Sequence, residues 1–281
     1  MPLGIHRHII TVGGSNWNPT NSITTAIWID ASDTSSYSLS GSNVTAVTDK
    51  GSAGATFTVG GTPNVSTTLN SLNTFSFDSG NNEDLTTDEV LQAASGNHWA
   101  IGVWQWNTVN DTKDSFWSTE NNTVNAVTNK RDYAVSAGNS SAFNGELDLD
   151  SLGSNRISTS IGDKEAFTTT FGSNNTWRIL GVFFNKAGNQ IGARLNGANA
   201  FTPVNDYDNS LTPNLDLRIM RNRTSVRLDG KMAEFFSVAD VPGTGASTDI
   251  STFEKAEGYL AHKWGLTSNL PSDHPYKYIA P

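Results

Sequence analysis

Only one segment of this 281-residue chain has a hydrophobic period suited to a helix, and it lies at the C-terminal end. Phe253, Ala256, Leu260 and Trp264 recur at helical spacing and so share one face. Ser251 with Glu254 predicts a capping box at the start of the helix. Gly265 predicts a left-handed stop, and Pro271 and Pro275 predict an extended tail beyond it. Tyr259, His262 and Trp264 are expected to serve packing and surface roles. With no helical pattern competing before residue 250, the chain must bury its core between sheets.

Upstream, apolar residues alternate at the period of strands. Thr74-Phe75-Ser76-Phe77-Asp78 alternates cleanly. From Trp99 to Trp106 both phases are apolar: Trp99, Ile101 and Val103 on one face, Ala100, Trp104 and Trp106 on the other. That pattern suits a central strand covered on both sides. Trp177 to Phe184 reads the same way, and Ile191 to Leu195 runs into Asn196-Gly197, a type I′ hairpin turn. Leu215, Leu217 and Ile219 alternate with Asp216, Arg218 and Met220, and Lys231 to Val238 gives a last strand. Many short strands with Gly- and Asn-rich turns predict an all-β sandwich or jelly roll. Three parts are expected: an N-terminal docking arm at 1–22, the sandwich at 23–245, and the helix and tail at 246–281 packed on it. The arm, with Ile5, Ile9, Ile10, Val12 and Trp17, reads either as an edge strand of its own domain or as a segment that docks on a partner.

Charge narrows the partners. Only 16% of residues are charged and the net charge is −9, so no basic surface is expected for nucleic acid. The four arginines between Arg218 and Arg227 read as a local salt-bridge face. There is no cysteine, which removes disulfides from the stability account. The longest apolar run, Ile179 to Phe184, is too short for a bilayer, so no membrane insertion is expected. Met1-Pro-Leu-Gly-Ile-His-Arg-His8 lacks a hydrophobic signal segment, and any external role would need another route.

Glu257-Gly-Tyr-Leu-Ala-His-Lys-Trp-Gly-Leu266, followed by Leu270-Pro-Ser-Asp-His-Pro-Tyr276, resembles the closing segment of concanavalin A-like (laminin-G-like) domains. Ala26-Ile-Trp-Ile-Asp30, Asp49-Lys-Gly51, Phe75-Ser-Phe-Asp78 to Leu85, Trp177 to Val182 with Leu195-Asn-Gly197, and Gly230 to Phe235 are similar to earlier parts of that family, in order. The resemblance covers residues 26 to 276. It implies a concanavalin A-like jelly-roll β-sandwich with one C-terminal α-helix. Such domains are common in bacteriophage structural proteins, so the expectation is a virion surface protein serving capsid decoration or tail attachment. Its partners would be other virion proteins in a homo-oligomer, a trimer by preference, with host glycan as a further ligand. A carbohydrate-binding module of a bacterial surface protein is the alternative, and a laminarinase-type glycoside hydrolase a third.

The candidate residues divide accordingly. Trp104, Trp106 and Trp117 flank a polar loop that holds Asn121 and Asn122. Exposed aromatic faces stack on sugars and amides bond hydroxyls, but the same tryptophans also read as core. Gly145-Glu146-Leu-Asp148-Leu-Asp150 puts three carboxylates on one strand face, similar to the catalytic strand of laminarinase-type hydrolases. There Glu146 would be the nucleophile and Asp148 the helper, but Asp150 is one methylene short of the acid/base expected. The alternation also fits a solvated strand, so the chain is expected to be non-enzymatic. No metal site or cofactor is expected: His6 and His8 lack partners, and the loop carboxylates Asp30, Asp33 and Asp78, the candidates for calcium, lack the spacing of a calcium loop.

Overall fold

The computed structural model describes residues 17–87, 97–108, 114–119, 132–138, 146–152, 164–170, 174–185, 190–199, 217–221, 227–244 and 249–281. Ile5, Ile9, Ile10, Val12, Asn121 and Asn122 lie outside these residues. A single helical turn, α1 (Pro19–Ser22), opens the described chain. Then come β1 (Trp28–Asp30), β2 (Tyr37–Ser40), β3 (Asn43–Val47), β4 (Thr58–Gly60), β5 (Asn64–Leu69), β6 (Leu72–Phe77), β7 (Asp84–Thr87) and β8 (His98–Thr108). Next are β9 (Asp114–Thr119), β10 (Asp132–Gly138), β11 (Glu146–Leu152), β12 (Lys164–Thr170), β13 (Arg178–Asn185) and β14 (Gln190–Leu195). The last elements are β15 (Ala198–Asn199), β16 (Leu217–Ile219), β17 (Asp229–Val238) and α2 (Ser251–Lys263).

Two antiparallel sheets form the sandwich. One runs β15-β14-β13-β8-β17-β6-β5-β3-β2, with β1 also paired to β17; the other runs β12-β11-β10-β9-β16-β7-β4. The first sheet is covered on both faces. Its inner face meets the second sheet through Phe75, Phe77, Trp104, Phe116, Trp117 and Phe235. Its outer face carries α2 through Trp99, Ile101, Val103, Phe236, Phe253 and Leu260. β8 shows why: the two phases read from its sequence separate cleanly, Ala100, Trp104 and Trp106 joining the inter-sheet core and Trp99, Ile101 and Val103 the helix-side core. The Asn196-Gly197 turn has φ of 52° and 80°, the two left-handed positions of a type I′ turn, and joins β14 to β15.

The helix follows its sequence on the buried face but not at its start. Phe253, Ala256, Leu260 and Trp264 are all fully buried. Gly265 takes φ 70° and the Leu266 N–H bonds the Ala261 carbonyl at 2.7 Å, which closes the C-terminus as a Schellman motif. Ser251 does not cap. It is the first helical residue, Ile250 stands at the N-cap, and the Asp249 carboxylate accepts the Ser251 N–H at 2.8 Å and the Thr244 N–H at 2.7 Å. An Asp with two backbone donors two and five residues away outcompetes the Ser–Glu pair. The tail is not extended either. His274 N–H bonds the Pro271 carbonyl at 3.1 Å and Lys277 N–H bonds that of His274 at 3.0 Å. Pro275 thus sits at the second position of a turn, where its fixed φ is favoured.

Candidate functional site

The tryptophans proposed for sugar stacking are core residues. Trp104 and Trp117 are fully buried and stack on each other with ring centroids 5.5 Å apart. Phe235 closes on both, at 5.7 Å from Trp104 and 5.4 Å from Trp117. Trp106 is 8% exposed and belongs to the same cluster. Trp104 and Trp117 have aromatic neighbours where a sugar would have to lie and Trp106 is buried beside them, so all three belong to the core of β8 and β9.

The carboxylate strand is β11. Its register sets Glu146 opposite Gly138, Asp148 opposite Ser136 and Asp150 opposite Ala134. Leu149, in the intervening phase, stands opposite Val135, which is buried in the inter-sheet core. β11 lies next to the outermost strand of its sheet.

Two groups of ionisable side chains come together under α2. Lys263 places its ammonium 2.8 Å from Glu234 and 2.9 Å from Asp30. Glu234, fully buried, also accepts from the indoles of Trp28 at 2.9 Å and Trp264 at 2.8 Å and from the Tyr259 hydroxyl at 3.1 Å. Burial raises the Glu234 carboxyl above its ordinary value, and Lys263 opposes the rise. Burial works against the Asp30 charge too, yet Lys263, Ser32 and Lys50 together hold Asp30 below its ordinary value. In the middle of the helix, Glu257 receives Arg194 through Nε at 2.9 Å and Nη2 at 3.0 Å. His274 Nε2 is 3.1 Å from the same carboxylate, and the Tyr276 N–H lies 3.2 Å from its Nδ1. The first cluster fastens the helix to β1 and β17, the second fastens helix and tail to β14. The sequence carries a sign of the second, because Glu257 falls four residues after Phe253 and three before Leu260, inside the apolar stripe.

The loop carboxylates proposed for calcium are otherwise engaged. Asp30 and Asp33 pair with Lys50 at 3.3 and 2.6 Å, and Asp78 accepts the Gly80 N–H at 2.8 Å. Among the described residues no three His, Asp or Glu side chains are grouped for a metal ion, and no helix is long and apolar enough to cross a membrane. The arginine face is as expected where it is described: Arg227 and Arg221 pair with Asp84 at 2.6 and 3.5 Å. Trp17, the described end of the arm, bonds the Pro281 carbonyl at 2.9 Å and packs edge-on to Tyr259 at 5.7 Å.

An open cavity of about 590 Å³ lies between the Ser22–Ala26 segment, the end of β17 with the turn after it, and the first turn of α2. Trp99 and Val238 form part of its wall, and Asp240 and Thr252 are among its polar residues.

No protein-family model and no curated protein matches the sequence. Solved structures do match in fold. The chain is similar to domain 4 of AbnA, an extracellular GH43 arabinanase of Geobacillus stearothermophilus, solved with arabinotriose. The TM-score is 0.50 and the identity 11%, over 76% of this chain and 91% of that one. It is also similar to the receptor-binding domain of a botulinum neurotoxin C/D mosaic serotype, with a TM-score of 0.51 and 12% identity over 84% of this chain. Against that domain the chain spans about half, 52%. At such identities these likenesses carry the fold alone, a sandwich of two antiparallel sheets.

Proposed function

We propose that this chain is a non-catalytic attachment domain that binds glycan and is displayed on the surface of a bacteriophage particle. The observation that carries the glycan part is the sandwich shared with nearly the whole of an arabinanase domain solved with arabinotriose. The buried acid–base groups fit a binding role, since Asp30, Glu234 and Lys263 in one cluster and Arg194, Glu257 and His274 in the other are spent on holding α2 and the tail. The virion part rests on the closing motif, Glu257 to Tyr276, and its resemblance to domains of phage structural proteins. The arm at 1–22 would attach the domain to capsid or tail.

Purified protein on a glycan array tests the first part; a blank array removes it. Mass spectrometry of purified particles tests the second, with the chain expected at a fixed ratio to the capsid or tail protein. A chain that binds glycan yet is missing from particles is a bacterial carbohydrate-binding module, the reading favoured by the extracellular origin of the arabinanase domain. Release of reducing sugar that disappears in Glu146→Gln would overturn the non-catalytic assignment.

A further inference from the structure

We infer that the cavity beside the start of α2 is the saccharide subsite of this domain, and that its ligand is a neutral, hydroxyl-rich sugar. The inference rests on the glycan reading above and adds a place and a chemistry to it.

The cavity volume, about 590 Å³, lies in the range of small-molecule sites. One side is apolar, with Ile23, Val238 and Val241, and suits the C–H face of a sugar ring.

The polar side is built from hydroxyls and one carboxylate. Thr244 Oγ1 donates to Asp249 at 2.8 Å and Ser52 Oγ donates to the Thr25 carbonyl at 2.9 Å. Their protons are committed to the protein, which leaves oxygen lone pairs for ligand donors. The hydroxyls of Thr24 and Thr252 have no partner among the described residues. Asp240 is exposed, and its Oδ1 accepts the Val241 N–H at 2.7 Å, which leaves Oδ2 as a further acceptor. No Lys or Arg stands among the described lining residues. A site with a carboxylate and no cation repels sialic and uronic acids and accepts neutral sugars.

The test uses the full chain on an array carrying neutral and carboxylate-bearing saccharides, followed by calorimetric titration of the best hit. Neutral saccharides are expected to bind and acidic ones not. Thr24→Trp fills the cavity from an exposed position and is expected to abolish the titration. Asp240→Asn keeps the oxygen that bonds Val241 and replaces the other acceptor with a donor, so affinity should fall about tenfold. Both variants should melt with the parent; if Thr24→Trp does not fold, Asp240→Asn and Thr252→Val decide. Unchanged affinity in the folded variants would move the sugar elsewhere and leave the glycan reading standing. Hits confined to acidic saccharides would overturn the ligand class. A blank array would remove the glycan reading and this inference together.

Discussion

Lys263 joins two carboxylates that cannot be left alone. Glu234 is fully buried and Asp30 nearly so, and one ammonium lies within 2.9 Å of both. Burial works against the lysine charge, but Glu234 and Asp30 outweigh it and raise the Lys263 pKa. Lys263→Met should therefore cost about 3–5 kcal/mol in urea unfolding, because it strands buried charge. Adding Glu234→Gln to it should restore a large part of that loss, whereas independent sites would add their losses. The acid limb has its own sign. Asp30 is depressed in the folded state, so its contribution is complete above the unfolded carboxylate pKa of about 3.9 and vanishes as pH falls through the folded value. The stability gap between the parent and Asp30→Asn should stay constant from neutral pH to about pH 4 and close below it. Asp33, held to about 2 first of all by its bond from Lys50, should lose its smaller share in the same window. A gap that widens on acidification would refute this account. At this scale the sequence was only partly legible. Glu257 inside an apolar stripe signals a buried ion pair, but Arg194 and His274 are brought to it by tertiary packing from positions 63 and 17 residues away. The same limit applies to Trp104 and Trp117, whose composition suits a sugar platform as well as a core until burial decides.

β17 explains how a glutamate comes to face the helix. Met232 and Phe235 point into the inter-sheet core, while Ala233 and Phe236 point to α2. A bulge between Met232 and Glu234 inserts one residue, so Ala233 and Glu234 fall consecutively on the helix side. Strict alternation would have put Glu234 in the aromatic core. The strands β6, β8, β13, β14, β16 and β17, the Asn196-Gly197 turn and the apolar stripe of α2 are legible in sequence because each is set by local period. The bulge depends on pairing register across strands far apart in the chain, and a period-two reading of Lys231 to Val238 passes over it. The helix has a similar tertiary exception at Gly258, an interior glycine that propensity alone would penalise by about 1 kcal/mol relative to alanine. A Cβ there would lie 2.4 Å from the Cβ of Tyr276 in the tail. Gly258→Ala is thus expected to lower the urea midpoint, because the tail must lift. A raised midpoint would mean that helix propensity outweighs the packing of the tail.

On the scale of the whole molecule the layers run second sheet, first sheet, then helix and tail, and both described ends of the chain meet on the outermost layer. Trp17 is tied to Pro281 by a backbone bond and rests on Tyr259, whose hydroxyl reaches Glu234. Trp17 therefore lies on the helix side, away from the second sheet. A stability measurement separates the two sequence readings of residues 1–22, since a strand of the domain's own would add to its stability and a docking arm would not. Removing residues 1–16 keeps the Trp17 contacts, and the product is expected to melt within about 2 °C of the full chain, a shift that corresponds to less than 1 kcal/mol for a domain of this size. Trp17→Ala in the full chain should melt lower, because it uncovers Tyr259. The same 1–16 truncation should abolish incorporation into particles while leaving glycan titration unchanged, since the cavity begins at Ser22. A drop of about 5 °C or more on truncation would place the segment in the sandwich itself, and incorporation would then have to depend on another surface of the domain.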